Sequence, residues 1–296
     1  MIRALFRLEL PDGSVRLSAG DAATGPLSLL PAGKSVASIL RRGATGLAEA
    51  VAADAGPPVP KNSRILAPVD EQEIWAAGVT YERSRDARME ESAEASVYDR
   101  VYDAERPELF FKSAGWRVRG PGETIGIRAD STWDVPEPEL AVVVAADLTI
   151  AGYTIGNDVS SRTIEGENPL YLPQAKVYDG SCALGPALVP ATHAAPPFIL
   201  RLLVTRDGSI AVDDATTTAR IRRPLTELVE FVGRALEFPS GAILLTGTGV
   251  VPEPSFTLRD GDVVRIEAGA LGVLENVVTT IGSTAARRAG QGVRSA

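Results

Sequence analysis

The stretch WDVPEPELAVVV, residues 133–144, decides how this chain is read. Leu140 to Val144 is an apolar run fit for a buried strand, yet it opens on Glu137 and Glu139 around Pro138. Strand side chains alternate, so the two glutamates share one face and Pro138 points to the other. Proline has no N–H to donate, which suits a strand start or an edge. The chain continues as AADLTIAGYTIGND, residues 145–158, and reads as a second strand after a short connection. In an antiparallel hairpin turning at Asp147 and Leu148, partner positions sum to about 295, which sets Asp158 opposite Glu137. Three carboxylates then converge at the mouth of one hairpin.

Bare, such a patch is unfavourable, because two like charges about 4 Å apart repel by roughly 4 kcal/mol at an effective dielectric near 20. A proton, an arginine or a cation must relieve it. All-oxygen ligation suits a hard divalent ion, Mg²⁺ first, with Mn²⁺ or Ca²⁺ as alternatives. Arg162, four residues beyond Asp158, is expected to orient that carboxylate. The same residues also fit two solvated strand ends and a helix cap before VSSR. Spacing alone does not choose between these.

Outward from the hairpin, strands dominate. ALGPALVP, FILRLLVTRDG, GAILLTGTG, DVVRIEA and GVLENVV follow it, with one helical stretch at Thr226–Leu236. Upstream, EIWAAGVTY and RPELFFKS read as strands, and the charged, proline-free residues 82–105 between them as a helical excursion or a lid. The first 62 residues form a small α/β unit: a hairpin around Pro-Asp-Gly, then a helix-like stretch with internal glycines, ending at a proline-rich break. We therefore expect an α+β protein with three parts: an N-terminal domain at 1–62, a strand-rich body of mixed sheets at 63–285, and a loose tail at 286–296. Strands and helices do not alternate at βαβ spacing, which excludes a TIM barrel or Rossmann sheet.

The totals narrow the partners. Acidic residues outnumber basic ones 38 to 30, for a formal charge of −8, and no Lys/Arg cluster breaks that balance. Nucleic acid and anionic membranes are therefore not expected partners. The opening apolar run is too short for a signal peptide, and no run is long enough to span a bilayer. The single cysteine, Cys182, forms no internal disulfide and fits a reducing cytoplasm.

Taken together, PEPELAVVV, GYTIGNDVSSRTIEGENPLYLPQAKVYDG, ALGPALVP and LLTGTGVVP resemble the fumarylacetoacetate hydrolase superfamily over about residues 70–280. Within it, GVTYERSR, VYDAERPELFFK, WDVPEPELAVV and ENPLYLPQAKVY are most similar to the 2-dehydro-3-deoxy-D-arabinonate dehydratases. The resemblance implies a mixed β-roll around a Mg²⁺ site built by Glu137, Glu139 and Asp158. It also implies assembly as a homodimer or homotetramer.

Carbon–carbon hydrolases of the superfamily use a histidine shortly after the first strand to activate water. Here Ser84, in GVTYERSR, stands where it would fall, and the only histidine, His193, lies in a proline-flanked loop. Elimination of water from an α-keto sugar acid needs no activated water, only an acid and a base. The expected reaction is 2-dehydro-3-deoxy-D-arabinonate to 2,5-dioxopentanoate plus water. The alternatives are a hydrolase or decarboxylase of the same superfamily acting on an acylpyruvate, fumarylpyruvate or oxaloacetate, and a non-catalytic metal-binding protein. Glu108 and Lys176 are the candidate acid and base. Lys112 is expected to meet the substrate carboxylate, Ser84 and Arg85 the sugar-acid hydroxyls. Thr248, in the glycine-rich LLTGTG with Thr246, is expected to donate to an anion docked on the turn. Tyr171 is expected only to pack.

Overall fold

The computed structural model describes residues 2–52, 56–84 and 101–282. Its strand-rich body carries the expected α+β character in two mixed sheets. β1 (Arg3–Glu9) and β2 (Val15–Asp21) form the first hairpin, with Gly13 in the left-handed region (φ 81°) at its turn. β3 (Gly25–Leu29) pairs with β2, and β4 (Arg64–Leu66) with β1. The stretch read as helix-like is two helices, α1 (Val36–Leu40) and α2 (Ala44–Ala52). Gly43, at φ 75°, ends the first. Gly46 lets the two pack closely, since a Cβ there would lie 2.3 Å from the Ile39 carbonyl oxygen.

The main sheet continues through β5 (Glu73–Gly78), β6 (Glu108–Ala114), β9 (Pro138–Val144), β10 (Ile150–Asp158), β12 (Cys182–Pro190) and β15 (Ala242–Leu245). Its order is β3-β2-β1-β12-β10-β9-β15-β5-β6, so the N-terminal strands join through the β1–β12 pair. The second sheet has five strands. They are β7 (Thr124–Arg128), β13 (Ile199–Arg206), β14 (Ser209–Thr217), β16 (Val263–Glu267) and β17 (Val273–Ile281). A small ladder joins β8 (Asp134–Val135) to β11 (Ser160–Ser161). Short helices α3 (Arg162–Glu167) and α4 (Leu172–Lys176) follow it, and α5 (Leu225–Gly233) is the expected late helix.

Every residue of β9 is buried, which explains its continuous apolar run. Leu140, Val142 and Val144 pack with Leu200, Leu202 and Val264 of the second sheet and with Leu228 of α5. Ala141 and Val143 pack with Leu40 of α1 and with Leu47 and Val51 of α2. The sheet is thus covered on one face by helices and on the other by strands. By alternation, Glu139 lies on the same face as Ala141, past the end of the apolar run.

Candidate metal centre

The hairpin has the register read from the sequence: Gly156 faces Glu139, Asn157 faces Pro138, and the Asp158 N–H donates to the Glu137 carbonyl at 3.0 Å. One carboxylate oxygen each from Glu137, Glu139 and Asp158 lies within 4.8 Å of the other two, and all three residues are buried. Burial first, then the charges of Asp158 and Glu137, push the Glu139 carboxyl well above the usual carboxylate range.

Cationic side chains offset part of this charge. Lys176 Nζ donates to Glu137 Oε2 at 2.8 Å, Asp158 Oδ2 at 3.1 Å and Ser160 Oγ at 2.6 Å. Arg162 Nη2 donates to Glu137 Oε1 at 2.8 Å, not to Asp158 as its spacing suggested. The cause is local. Ser160 and Ser161 pair back on β8, the Arg162 N–H bonds the Trp133 carbonyl, and Ser161 caps α3, so the guanidinium starts beside Glu137. Among the described residues, no lysine or arginine forms an ion pair with Glu139. Its Oε2 accepts the Gly247 N–H at 2.6 Å. Three buried carboxylates, one of them with no ion pair among the described residues, offer only oxygen donors and fit a hard divalent cation such as Mg²⁺.

The trio lines a cavity of about 310 Å³, open solvent at its mouth included, together with Ser84, Glu108, Phe110, Glu165, Lys176 and Thr248. Glu108 reaches it because Gly78, its partner on β5, has no side chain: a Cβ there would lie 2.2 Å from Glu108 Oε2.

Residues 73–279 match the family described as fumarylacetoacetate (FAA) hydrolase C-terminal. The chain belongs to the fumarylacetoacetate hydrolase family. It is 53% identical over 216 residues to a probable 2-keto-3-deoxyxylonate dehydratase of Haloferax volcanii, covering 72% of this chain and 74% of that protein. It is 42% identical over 217 residues to the 2-dehydro-3-deoxy-D-arabinonate dehydratase of Saccharolobus solfataricus, covering 71% and 73%. A solved 2-keto-3-deoxy-D-arabinonate dehydratase, complexed with magnesium and 2,5-dioxopentanoate, superposes with a TM-score of 0.81 at 32% identity, covering 95% of this chain and all of that one.

In this family member, Ser84, Glu108, Lys176 and Thr248 are brought to the trio as the sequence suggested, and Arg85 lies outside the described residues. Most of the expected lid, residues 82–105, does as well. Lys112 is a correction. It is fully buried, does not line the cavity, and forms an ion pair with Asp158 Oδ1 from behind, so its ammonium is not presented to a substrate. The glycine-rich turn is a second correction, since its Gly247 N–H holds a protein carboxylate, Glu139. Thr248 exchanges hydrogen bonds with the Val250 backbone, and Thr246 Oγ1 donates to the Leu140 carbonyl. Tyr171 is 41% exposed, outside the core. His193 is an exposed loop residue with its Nδ1 3.1 Å from the Arg3 carbonyl oxygen.

Two polar site residues escaped the sequence reading. Glu165 lines the cavity, and its one signal was the i, i+3 spacing from Arg162, whose Nη1 lies 3.8 Å from Glu165 Oε2. Ser160 binds Lys176 and gave no signal beyond its place in NDVSSR.

Proposed function

We propose that this chain is a Mg²⁺-dependent hydro-lyase converting 2-dehydro-3-deoxy-D-arabinonate to 2,5-dioxopentanoate and water. One observation carries the reading. Glu108 and Lys176 face the same cavity as the carboxylate trio, while the position suited to a water-activating histidine holds Ser84. The dehydratases to which the chain is similar support the same substrate class.

Glu137, Glu139 and Asp158 would hold the cation, which supplies Lewis acidity towards the oxygens of an α-keto acid. The chain's own residues move protons. One of Glu108 and Lys176 removes a proton from C3; the electron pair forms the C3–C4 double bond, and hydroxide leaves C4. The other protonates it to water. A proton then passes from C5 to C3, leaving an enol at C5. Protonation at C4 with loss of the enol O–H proton gives the aldehyde. Phe110, whose ring centroid lies 5.8 Å from Lys176 Nζ, keeps this ammonium against an apolar face, away from bulk water.

The working unit in this reading is a homodimer or homotetramer in a reducing cytoplasm, supported by the buried free thiol of Cys182 and by exposed Trp116 and Leu170. No helix among the described residues is long and apolar enough to cross a membrane. The test incubates purified protein and Mg²⁺ with 2-keto-3-deoxy-D-pentonate and follows aldehyde release, with oxaloacetate and an acylpyruvate in parallel. Aldehyde from the sugar acid is the expected result. Cleavage of the acylpyruvate with the sugar acid untouched would overturn the reading.

A further inference from the structure

Lys112 is 0% exposed and lies on β6. An ammonium in such a place costs several kcal/mol unless it is paired and hydrogen-bonded. Two features show what it is paired with and how it gets there. Pairing between β5 and β6 runs Ile74 with Ser113 and then Trp75 with Phe111, so Lys112 is the extra residue of a β-bulge. A bulge bends the strand and re-aims the side chain it carries. Here it sends the lysine inward behind the carboxylate trio. There, Nζ meets Asp158 Oδ1 as an ion pair and donates to the carbonyl oxygens of Val159, at 3.1 Å, and of Lys176.

These partners belong to two separate elements. Asp158 ends β10 with Val159 directly after it, and Lys176 ends α4. One buried group therefore ties the end of the strand that carries a carboxylate of the trio to the end of the helix that carries the candidate catalytic ammonium. The two side chains it sets against one another, Asp158 and Lys176, both line the cavity, with Oδ2 and Nζ 3.1 Å apart. Asp158 thus has Oδ1 paired with Lys112 and Oδ2 with Lys176.

We propose that Lys112 is a positioning residue for the metal centre: it clamps Asp158 through Oδ1, so that Oδ2 is presented to the cation, and fixes the end of α4, so that Lys176 stays at the cluster. This rests on reading the trio as a cation site. Lys112 touches neither substrate nor ion.

The test titrates Mn²⁺ as the probe ion, with free Mn²⁺ followed by its paramagnetic resonance signal, on the full chain and its variants. Wild-type protein that binds no Mn²⁺ or Mg²⁺ would sink the reading of the trio itself, separately from the role of Lys112. Given wild-type binding, Lys112→Met is expected to weaken Mn²⁺ affinity by about tenfold or more, the scale of losing a group that orients a ligand. At saturating Mn²⁺, kcat should fall while KM for the keto acid changes by less than about threefold. Tyr178→Phe is the control. It removes a different hydrogen bond, 3.3 Å long, to the same Val159 carbonyl without touching Asp158, and should leave Mn²⁺ affinity within about twofold. Equal losses in both variants, or none in Lys112→Met, would reduce Lys112 to a structural residue. Should Lys112→Met not fold, Lys112→Gln keeps a donor without the charge, with the same expectation. A crystal structure of wild type with Mn²⁺ decides independently of any variant. Asp158 bound through Oδ2 with Oδ1 still on Lys112 supports the proposal, and Lys112 released from a bidentate Asp158 overturns it.

Discussion

Glu139 Oε2 accepts the backbone N–H of Gly247 at 2.6 Å, so the turn after β15 closes on a carboxylate of β9. The contact requires Gly247 in two ways. Its φ is 86°, and a Cβ would lie 2.1 Å from Thr80 Oγ1. This single N–H does little against burial and two neighbouring negative charges, which is why the Glu139 carboxyl remains pushed well upward.

Glu139→Gln should therefore separate function from folding. The variant loses a ligand and the charge that burial penalises, and its amide keeps an oxygen for the Gly247 N–H. Turnover should be abolished, and Mg²⁺ should no longer raise the thermal midpoint. The metal-free midpoint should match or exceed that of wild type, because an unpaired buried charge is destabilising. Residual turnover near wild-type levels would remove the metal centre from the mechanism.

Gly78→Ala tests Glu108 without altering it. The new methyl would occupy the place of Glu108 Oε2, 2.2 Å away, and a flexible glutamate tip can swing aside without moving backbone. Stability should change by less than about 1 kcal/mol, while kcat drops by about tenfold or more if Glu108 transfers a proton. Mn²⁺ affinity should be unchanged. Retained kcat in this variant would argue that the Glu108 carboxylate is not needed where the structure places it.

Much of this was legible from periodicity and one turn. Asp147 and Leu148 form the bend, with Leu148 at φ 63° and the Thr149 N–H on Asp147 Oδ1. A bulge between Ile150 and Gly152 then shifts the register so that Gly152 faces Val143, and the carboxylates meet as read. What escaped was non-local or weakly patterned. Lys112 reaches Asp158 across 46 positions, through a bulge that no local signal marks. β14 went unread because SIAVDDATT lies mostly exposed, with Asp213 and Asp214 outward on an edge strand. At six and five residues, α3 and α4 are too short to show a helical period.

Asp134 gives a pH signature separate from the metal centre. It lies buried on β8, one Oδ1 has no hydrogen-bond partner among the described residues, and burial pushes its carboxyl up to about 6 from an ordinary 3.8. Ser131 and Arg128 only partly oppose this. The folded state then binds the proton more tightly than the unfolded state, so stability falls as pH rises from about 3.8 through about 6 and is flat above. Asp134→Asn should be more stable than wild type by about 1–3 kcal/mol at pH 8 and lose that advantage near pH 4. Urea midpoints at both pH values check this. An equal difference at the two would show that Asp134 does not titrate between them.

Ligand synergy separates a catalytic centre from an inert ion site. A cation held only by Glu137, Glu139 and Asp158 keeps coordination positions for other oxygens, on a cavity that Glu108, Lys176 and Thr248 also line. Oxalate offers two oxygens at the spacing of an α-keto acid but cannot eliminate water. Mg²⁺ and oxalate together should stabilise the chain beyond the sum of their separate effects, by about 2.7 kcal/mol when oxalate reaches a hundred times its dissociation constant. Without Mg²⁺, oxalate should have little effect, since Glu108 and Glu165 add their carboxylates to the trio around the cavity and Lys176 is already paired. Differential scanning fluorimetry over a matrix of the two concentrations reads this out. Strictly additive shifts would mean that the cation presents no open face to a keto acid, leaving an inert ion site where the proposed reaction needs a catalytic one.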